Sequence, residues 1–285
     1  MTESNRSDRV LPETHWVAGL VIPFLVAAFI ILYFFPHNTA TLFAWEIKSP
    51  MTAMMLGSAY AGGIYYFSGL LMTRQWHRIK VGLLPVATFT SVLSITTILH
   101  WDKFNQGTLP FFAWSSLYFT TPFIVFGLWL RNRGQDTDQL DGCDAIVSQS
   151  LRLVIGIVGA ATLAIAIFLF LNPALMIQLW PWTLTPLTSR VMAAMFSLPG
   201  IVGLGMAMDS RWSSAQIILQ SQGFSILLIL IAVFRTRADF DWAAPGSWLF
   251  TLGLGGMLAG IIIFYAFFNA RQRMPGPPIF EWIHY

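Results

Sequence analysis

The chain has 285 residues, of which 56% are hydrophobic and only 10% are charged. A soluble domain carries roughly 25% charged residues to cover its surface, so a soluble globular protein is excluded and the missing polar surface is expected to face lipid. The net charge of +3 does not point to nucleic acid, because the basic residues sit in short loops between apolar runs and form no stripe.

A helix needs about 20 apolar residues to cross a bilayer. The polar segment Met1 to Glu13 precedes an apolar run too long for a signal-peptide core and without a small-residue cleavage site, so this run is expected to be the first span. The apolar runs give eight spans at about 16–35, 51–72, 81–99, 110–130, 151–171, 188–208, 214–234 and 247–269. The two weakest are 188–208, which contains Pro199-Gly200, and 214–234, which opens with Gln216, Gln220 and Gln222. Pro23, Pro85, Pro122 and Pro199 are each expected to kink or break a helix, because each removes a backbone donor. Gly57, Ala61 and Gly62, Gly156 and Ala160, and Gly256 and Gly260 form small-residue faces that let helices approach closely.

Lys and Arg set the orientation. With the N-terminus inside, Arg6, Arg9, Arg74, Arg78, Lys80, Arg131, Arg133, Arg152, Arg211, Arg271 and Arg273 lie on the cytoplasmic side. Lys48, Lys103, Arg190, Arg235 and Arg237 lie on the other. Both termini are therefore expected in the cytoplasm. Trp45, Trp101, Trp180, Trp182 and Trp242 cluster at the outer span ends, and Trp16, Trp76, Trp129 and Trp212 at the inner ends, as an interfacial belt requires.

Self-similarity divides the chain in two. Phe35-Pro36, Phe43-Ala44-Trp45 and Ser49-Pro50-Met51-Thr52 recur as Asn172-Pro173, Trp180-Pro181-Trp182 and Thr185-Pro186-Leu187-Thr188, about 137 residues on. Met72 and Trp76 recur as Met208 and Trp212, and Arg131 as Arg271. His100-Trp101-Asp102 is echoed more loosely by Asp239-Phe240-Asp241. The expected fold is an all-α transmembrane bundle of about eight spanning helices in two parallel four-helix repeats, related by an axis along the membrane normal. The segments are a cytoplasmic N-terminus at 1–15, a first repeat at 16–133, a linker at 134–150, a second repeat at 151–270 and a cytoplasmic tail at 271–285.

Charge inside a membrane marks function by default, yet no ionisable residue falls deep in a span. Polar groups gather instead at the outer rim. Glu46, His100, Asp102, Arg190, Asp239 and Asp241 are the candidate ligand-binding set, lining an outer-leaflet cavity for a small solute or lipid headgroup. Arg190 lies about one turn into the sixth span and calls for a carboxylate partner, which Glu46, Asp239 or Asp241 could supply. The plainer reading of these groups is an ion-paired loop layer. His100 with Asp102 supplies too few ligands for a metal, and no histidine sits mid-span to hold haem. The one cysteine, Cys143, excludes an intrachain disulfide and a CxxC site. No G-x-S-x-G or S-x-x-K frame supports nucleophilic hydrolysis. No catalytic residue, metal or cofactor is expected. Gln216 and Gln220 are four apart on one helix face and are expected to hydrogen-bond across helices, with a cytoplasmic vestibule as the alternative.

Trp180-Pro181-Trp182-Thr183-Leu184-Thr185-Pro186-Leu187-Thr188-Ser189-Arg190 resembles a WPW-x-LTPLT-x-R stretch of bacterial multi-pass membrane proteins with no established activity. His100-Trp101-Asp102-Lys103-Phe104, followed by Trp114 and Tyr118, is similar to an H-x-D-[RK]-F loop of the same family. The resemblance implies a bacterial plasma-membrane location and no activity. The first half departs from the pattern, with Met54 where the second has Arg190. The leading expectation is a transporter-like or small-solute or lipid-binding membrane protein, more in keeping with a non-enzyme. The alternative is a structural or accessory subunit of a membrane complex, and a lipid-modifying enzyme is a third reading. Membrane lipids are the expected partners, with a membrane-protein partner or homo-oligomer beside them.

Overall fold

A computed structural model describes residues 6–140, 142 and 144–272. Cys143 and the tail from 273 onward, including Arg273, lie outside the described residues. The described chain is helical, with short 3-10 turns and no strand beyond three isolated bridges. Eight long helices stand among the described residues: α1 (Pro12–Phe34), α2 (Pro50–Met72), α3 (Lys80–Leu99), α4 (Leu109–Asn132), α5 (Gln149–Leu171), α6 (Pro186–Met208), α7 (Ser213–Arg235) and α8 (Pro245–Gln272). Short helices at Thr39–Leu42 and Pro173–Leu179 occupy the α1–α2 and α5–α6 connections.

Seven of the eight are long and apolar enough to cross a membrane, which makes the chain a multi-pass membrane protein in character. Both sequence-weak spans, α6 and α7, qualify. The helix that falls short is α2, whose four glycines, three tyrosines and two serines dilute its hydropathy. Its position explains the composition. Fourteen of its 23 residues are buried by other helices, so its surface need not match lipid. At the other extreme α5 buries only Gly159 and Ala166, and α8 only Ser247 and Phe268.

The prolines do not break the helices. Pro23, Pro85, Pro122 and Pro199 each lie inside a continuous helix. One missing backbone bond within a long packed helix is tolerated where neighbours fix its course. The Ser-Pro and Thr-Pro pairs have another role: they start helices. Ser49 accepts a hydrogen bond from the Thr52 amide at the head of α2. Thr185 and Thr188 form a reciprocal capping box at the head of α6, and Pro at the first turn costs no bond there.

Packing follows a fixed scheme. α1 lies on α2, α5 on α6, α3 on α4 and α7 on α8, while α2 pairs with α7 and α3 with α6 at the centre. Glycine permits the closest of these approaches. A Cβ on Gly159 of α5 would lie 3.0 Å from the Gly203 backbone of α6 and 2.9 Å from the Gly200 carbonyl. A Cβ on Gly62 of α2 would collide with Ser225 of α7. By contrast, Gly256 and Gly260 of α8 face nothing within 4 Å, so the expected close approach at that pair does not occur.

Candidate functional site

The six rim residues have separate environments. His100, just past α3, accepts a hydrogen bond on Nε2 from Arg190 Nη1 of α6 at 2.7 Å. Arginine can only donate, so the imidazole is neutral there. Burial first, then the neighbouring guanidinium, lowers the His100 pKa, and Asp102 opposes this only in part. Arg190 also lies over the Phe170 ring at 5.7 Å. Among the described residues it has no carboxylate partner, and its Nε has no acceptor. The expected carboxylate is replaced by an imidazole and a π-face.

Asp102 is exposed and pairs with Lys103 at 2.7 Å. Asp239 reaches the other half, accepting from the Met51 amide at 3.3 Å and the Ser49 hydroxyl at 3.5 Å, and so caps α2. Asp241 closes its own turn by accepting from the Ala243 amide, and Glu46 is exposed. Only His100 and Arg190 are brought into direct contact, and none of the six lines the cavity described below.

The opposite face, which carries the start of α1 and the end of α8, holds a buried charge network absent from the sequence reading. Arg211, 4% exposed, donates to Asp136 at 2.8 and 2.9 Å and to Asp209 at 2.9 and 3.0 Å. Lys80 at the start of α3 bridges the same two carboxylates at 2.6 and 2.7 Å. Burial alone would raise both carboxyls, but hydrogen bonds from Arg211 and Lys80 outweigh it and hold them below the usual range. The same bonds overcome burial at Arg211 and strengthen its hold on a proton. The network joins the linker after α4, the start of α3 and the α6–α7 connection. Nearby, Asp8 binds the His77 amide at 3.0 Å, and Asp144 binds the Ser213 amide at 3.0 Å and the Ser213 hydroxyl.

Between these faces lies a cavity of about 960 Å³, reached by all eight helices, at the upper end of small-molecule sites. Among the described residues its lining contains no Asp, Glu, Lys, Arg or His. Val154 and Val158 of α5 and Leu249 of α8 line it yet are 56%, 59% and 77% exposed. α5 and α8 are not one of the closely packed helix pairs, and these exposed lining residues put an opening of the cavity between them. α8 presents Gly246, Gly253 and Gly260 to it at seven-residue spacing, and a Cβ on Gly253 or Gly260 would meet nothing within 4 Å.

Among the described residues, the side-chain hydrogen bonds that tie α8 to its surroundings lie towards its two ends. Towards its C-terminus Gln220 Nε2 donates to the Tyr265 hydroxyl at 2.6 Å and Gln216 to Gln272 at 2.7 Å, the cross-helix bonding read from the sequence. Trp212 packs against Phe264, Tyr265 and Phe268. At the other end Ser247 donates to the Asp241 carbonyl and Trp248 to that of Trp242. Compared with family models, with curated proteins and with solved structures, the chain matches none.

Proposed function

We propose that this is an eight-span membrane protein of two parallel four-helix repeats that binds a hydrophobic molecule in its lateral cavity, as a transporter-like or lipid-binding protein. The observation that carries the reading is the uncharged cavity with its mouth between α5 and α8.

Several features support the repeats. Exchanging α1–α4 with α5–α8 turns each of the six principal packed pairs into another: α1·α2 into α5·α6, α3·α4 into α7·α8, and α2·α7 into α6·α3. The Val10 amide bonds the Arg74 carbonyl as Val147 bonds Ser210, and Trp76 bonds Asp8 as Trp212 bonds Ala145. At the other face, Trp45 meets Phe104 and Trp114 at 5.2 and 4.7 Å, and Trp182 meets Phe240 and Phe250 at 5.0 and 5.0 Å.

The halves differ where the cavity lies. In the first, α4 is stitched down. Tyr118 bonds Tyr60 at 2.6 Å, Trp114 donates to Thr97 at 2.9 Å, and Asn132 holds the Leu11 amide and Thr14 hydroxyl at 3.0 and 2.9 Å. Positions 136 residues later hold Leu254 for Tyr118, Phe196 for Tyr60, Phe250 for Trp114, Val233 for Thr97 and Phe268 for Asn132. These five bonding residues have apolar counterparts, which leaves α8 free to stand away from α5. The Lys and Arg distribution supports both termini in the cytoplasm, and the family resemblance supports a bacterial plasma membrane.

The test is photolabelling in membranes with a diazirine-bearing alkyl chain. Labelling of α8 between 249 and 261, competed by unlabelled long-chain alcohol, is expected. Even, uncompeted labelling of all lipid-facing helices would leave the cavity without a ligand and return the protein to a structural or accessory role. The nearly unburied α5 favours that second reading, since its apolar face could seat a partner helix.

A further inference from the structure

The class of ligand follows from which polar groups on the cavity wall are already engaged. Thr90 donates to the Val86 carbonyl, Thr162 to Val158, Ser221 to Gly62 and Tyr66 to Ile79, while Tyr60 and Tyr118 bond each other. Thr121, the Trp180 indole, Gln222 and Ser225 also line the cavity and have no hydrogen bond to any described residue, and Gln222 and Ser225 stand one turn apart on α7. Gln222 has the greatest hydrogen-bonding capacity of these four, with two donors and an acceptor on one amide. It stands near the middle of α7 (Ser213–Arg235), at mid-membrane depth, where no bulk water can satisfy it. Burying such a group unpaired is costly, so the amide calls for a partner that enters with the ligand.

A charged head is unsuited to this place. With no basic or acidic side chain on the wall among the described residues, a phosphate, carboxylate or ammonium would be left unpaired in a low-dielectric cavity. The rest of the wall is aliphatic, aromatic and glycine, and suits a long chain. In the first half the positions equivalent to Ser221, Gln222 and Ser225 are Pro85, Val86 and Phe89, so the amide exists once, on the α7 side, beside the open cleft of α8.

We infer that Gln222 is the head-group contact of the cavity, and that the ligand is a neutral long-chain amphipath bearing one hydroxyl or carbonyl. This rests on the cavity being a binding site. The ligand slides in through the α5–α8 mouth, its chain lies against Gly253 and Gly260, and its oxygen bonds the Gln222 amide.

The experiment uses the full chain in phosphatidylcholine nanodiscs and tritiated hexadecanol, with hexadecane and hexadecyl phosphate as competitors. The wild type is expected to bind hexadecanol saturably, and hexadecyl phosphate to displace it poorly. Gln222→Leu is expected to weaken hexadecanol roughly fivefold to tenfold, the loss of one hydrogen bond, with hexadecane binding unchanged. Gln222→Asn, which keeps the amide, should retain part of the affinity; Gln222→Met serves where the leucine variant does not fold. Equal hexadecanol affinity in the leucine or methionine variant, or equal displacement by hexadecyl phosphate, would overturn the assignment of Gln222 and leave the cavity reading intact. No saturable binding of any probe by the wild type would overturn both.

Discussion

Removing the Arg211 guanidinium isolates a cost that the fold itself must bear. In Arg211→Met the methionine fills much of the same volume, but Asp136 and Asp209 lose four short hydrogen bonds and keep Lys80 and one backbone amide each. Breaking a buried pair by removing one partner costs about 3–5 kcal/mol, chiefly from the charge left behind. Lys80 is 23% exposed at its side chain, and water reaching it trims the figure towards about 3 kcal/mol. That corresponds to a fall of roughly 10 °C in melting temperature for a chain of this size.

The pH dependence identifies the cause. In the wild type both carboxyls have lowered pKa values, so their contribution is full above the unfolded value near 4 and is lost only as pH falls through the folded ones. Stability from this network is therefore flat between pH 5 and 8. In the variant, desolvation is no longer outweighed and raises the carboxyl pKa values. The folded state then takes up a proton as pH falls, and the deficit against wild type shrinks from pH 8 to pH 5. Thermal unfolding in detergent, followed by near-ultraviolet circular dichroism, reads both effects. A variant within about 0.5 kcal/mol of wild type, or a deficit that grows in acid, would refute the reasoning. Adding Asp136→Asn and Asp209→Asn to Arg211→Met should recover part of the loss, since the uncompensated carboxylates are then gone.

Other substitutions separate packing from cavity. Gly203→Leu should lower the melting temperature sharply, because its Cβ would lie 2.9 Å from the Gly159 Cα, whereas Gly253→Leu should leave it within a few degrees because that Cβ meets nothing. Asp239→Ala removes a cap from α2 and is expected to cost about 0.5–2 kcal/mol, read by the same unfolding assay. Tyr60→Phe deletes the 2.6 Å bond to Tyr118 and should cost about 1 kcal/mol or somewhat more, since a buried hydroxyl loses its partner. His100 has a lowered pKa in the folded state, so the unfolded chain binds its proton first and the wild type should lose stability as pH falls below about 6.5. His100→Gln is expected to flatten that decline in a melting series from pH 8 to 5.

Hydropathy exposed the eight long helices to within a few residues at each end, because lipid imposes length and apolarity on every helix that faces it. It ranked them less well. α2 falls short because other helices surround it and its surface need not match lipid, and α6 is apolar enough despite Pro199-Gly200, where Gly200 and Gly203 seat α5. The Ser-Pro and Thr-Pro pairs were visible as a recurring pattern, and their physical content is helix capping. The charge network was not legible. Lys80, Asp136, Asp209 and Arg211 come from three connections and look like ordinary loop charges until folding stacks them at one face. The place of Arg190, about one turn into α6, is legible in the sequence, but its partner is His100, an imidazole where charge pairing calls for a carboxylate. The cavity was hidden for a different reason. Gly253 and Gly260 leave space, and spacing alone cannot tell a glycine that admits a helix from one that admits nothing.

Native mass spectrometry of the full chain, released from its own membrane in mild detergent, tests the central claim most directly. The account predicts one small uncharged amphipath retained per chain, and its loss in the folded variant carrying Gly253→Leu and Gly260→Leu. A bare polypeptide mass for the wild type, or identical retention in that variant, would contradict it.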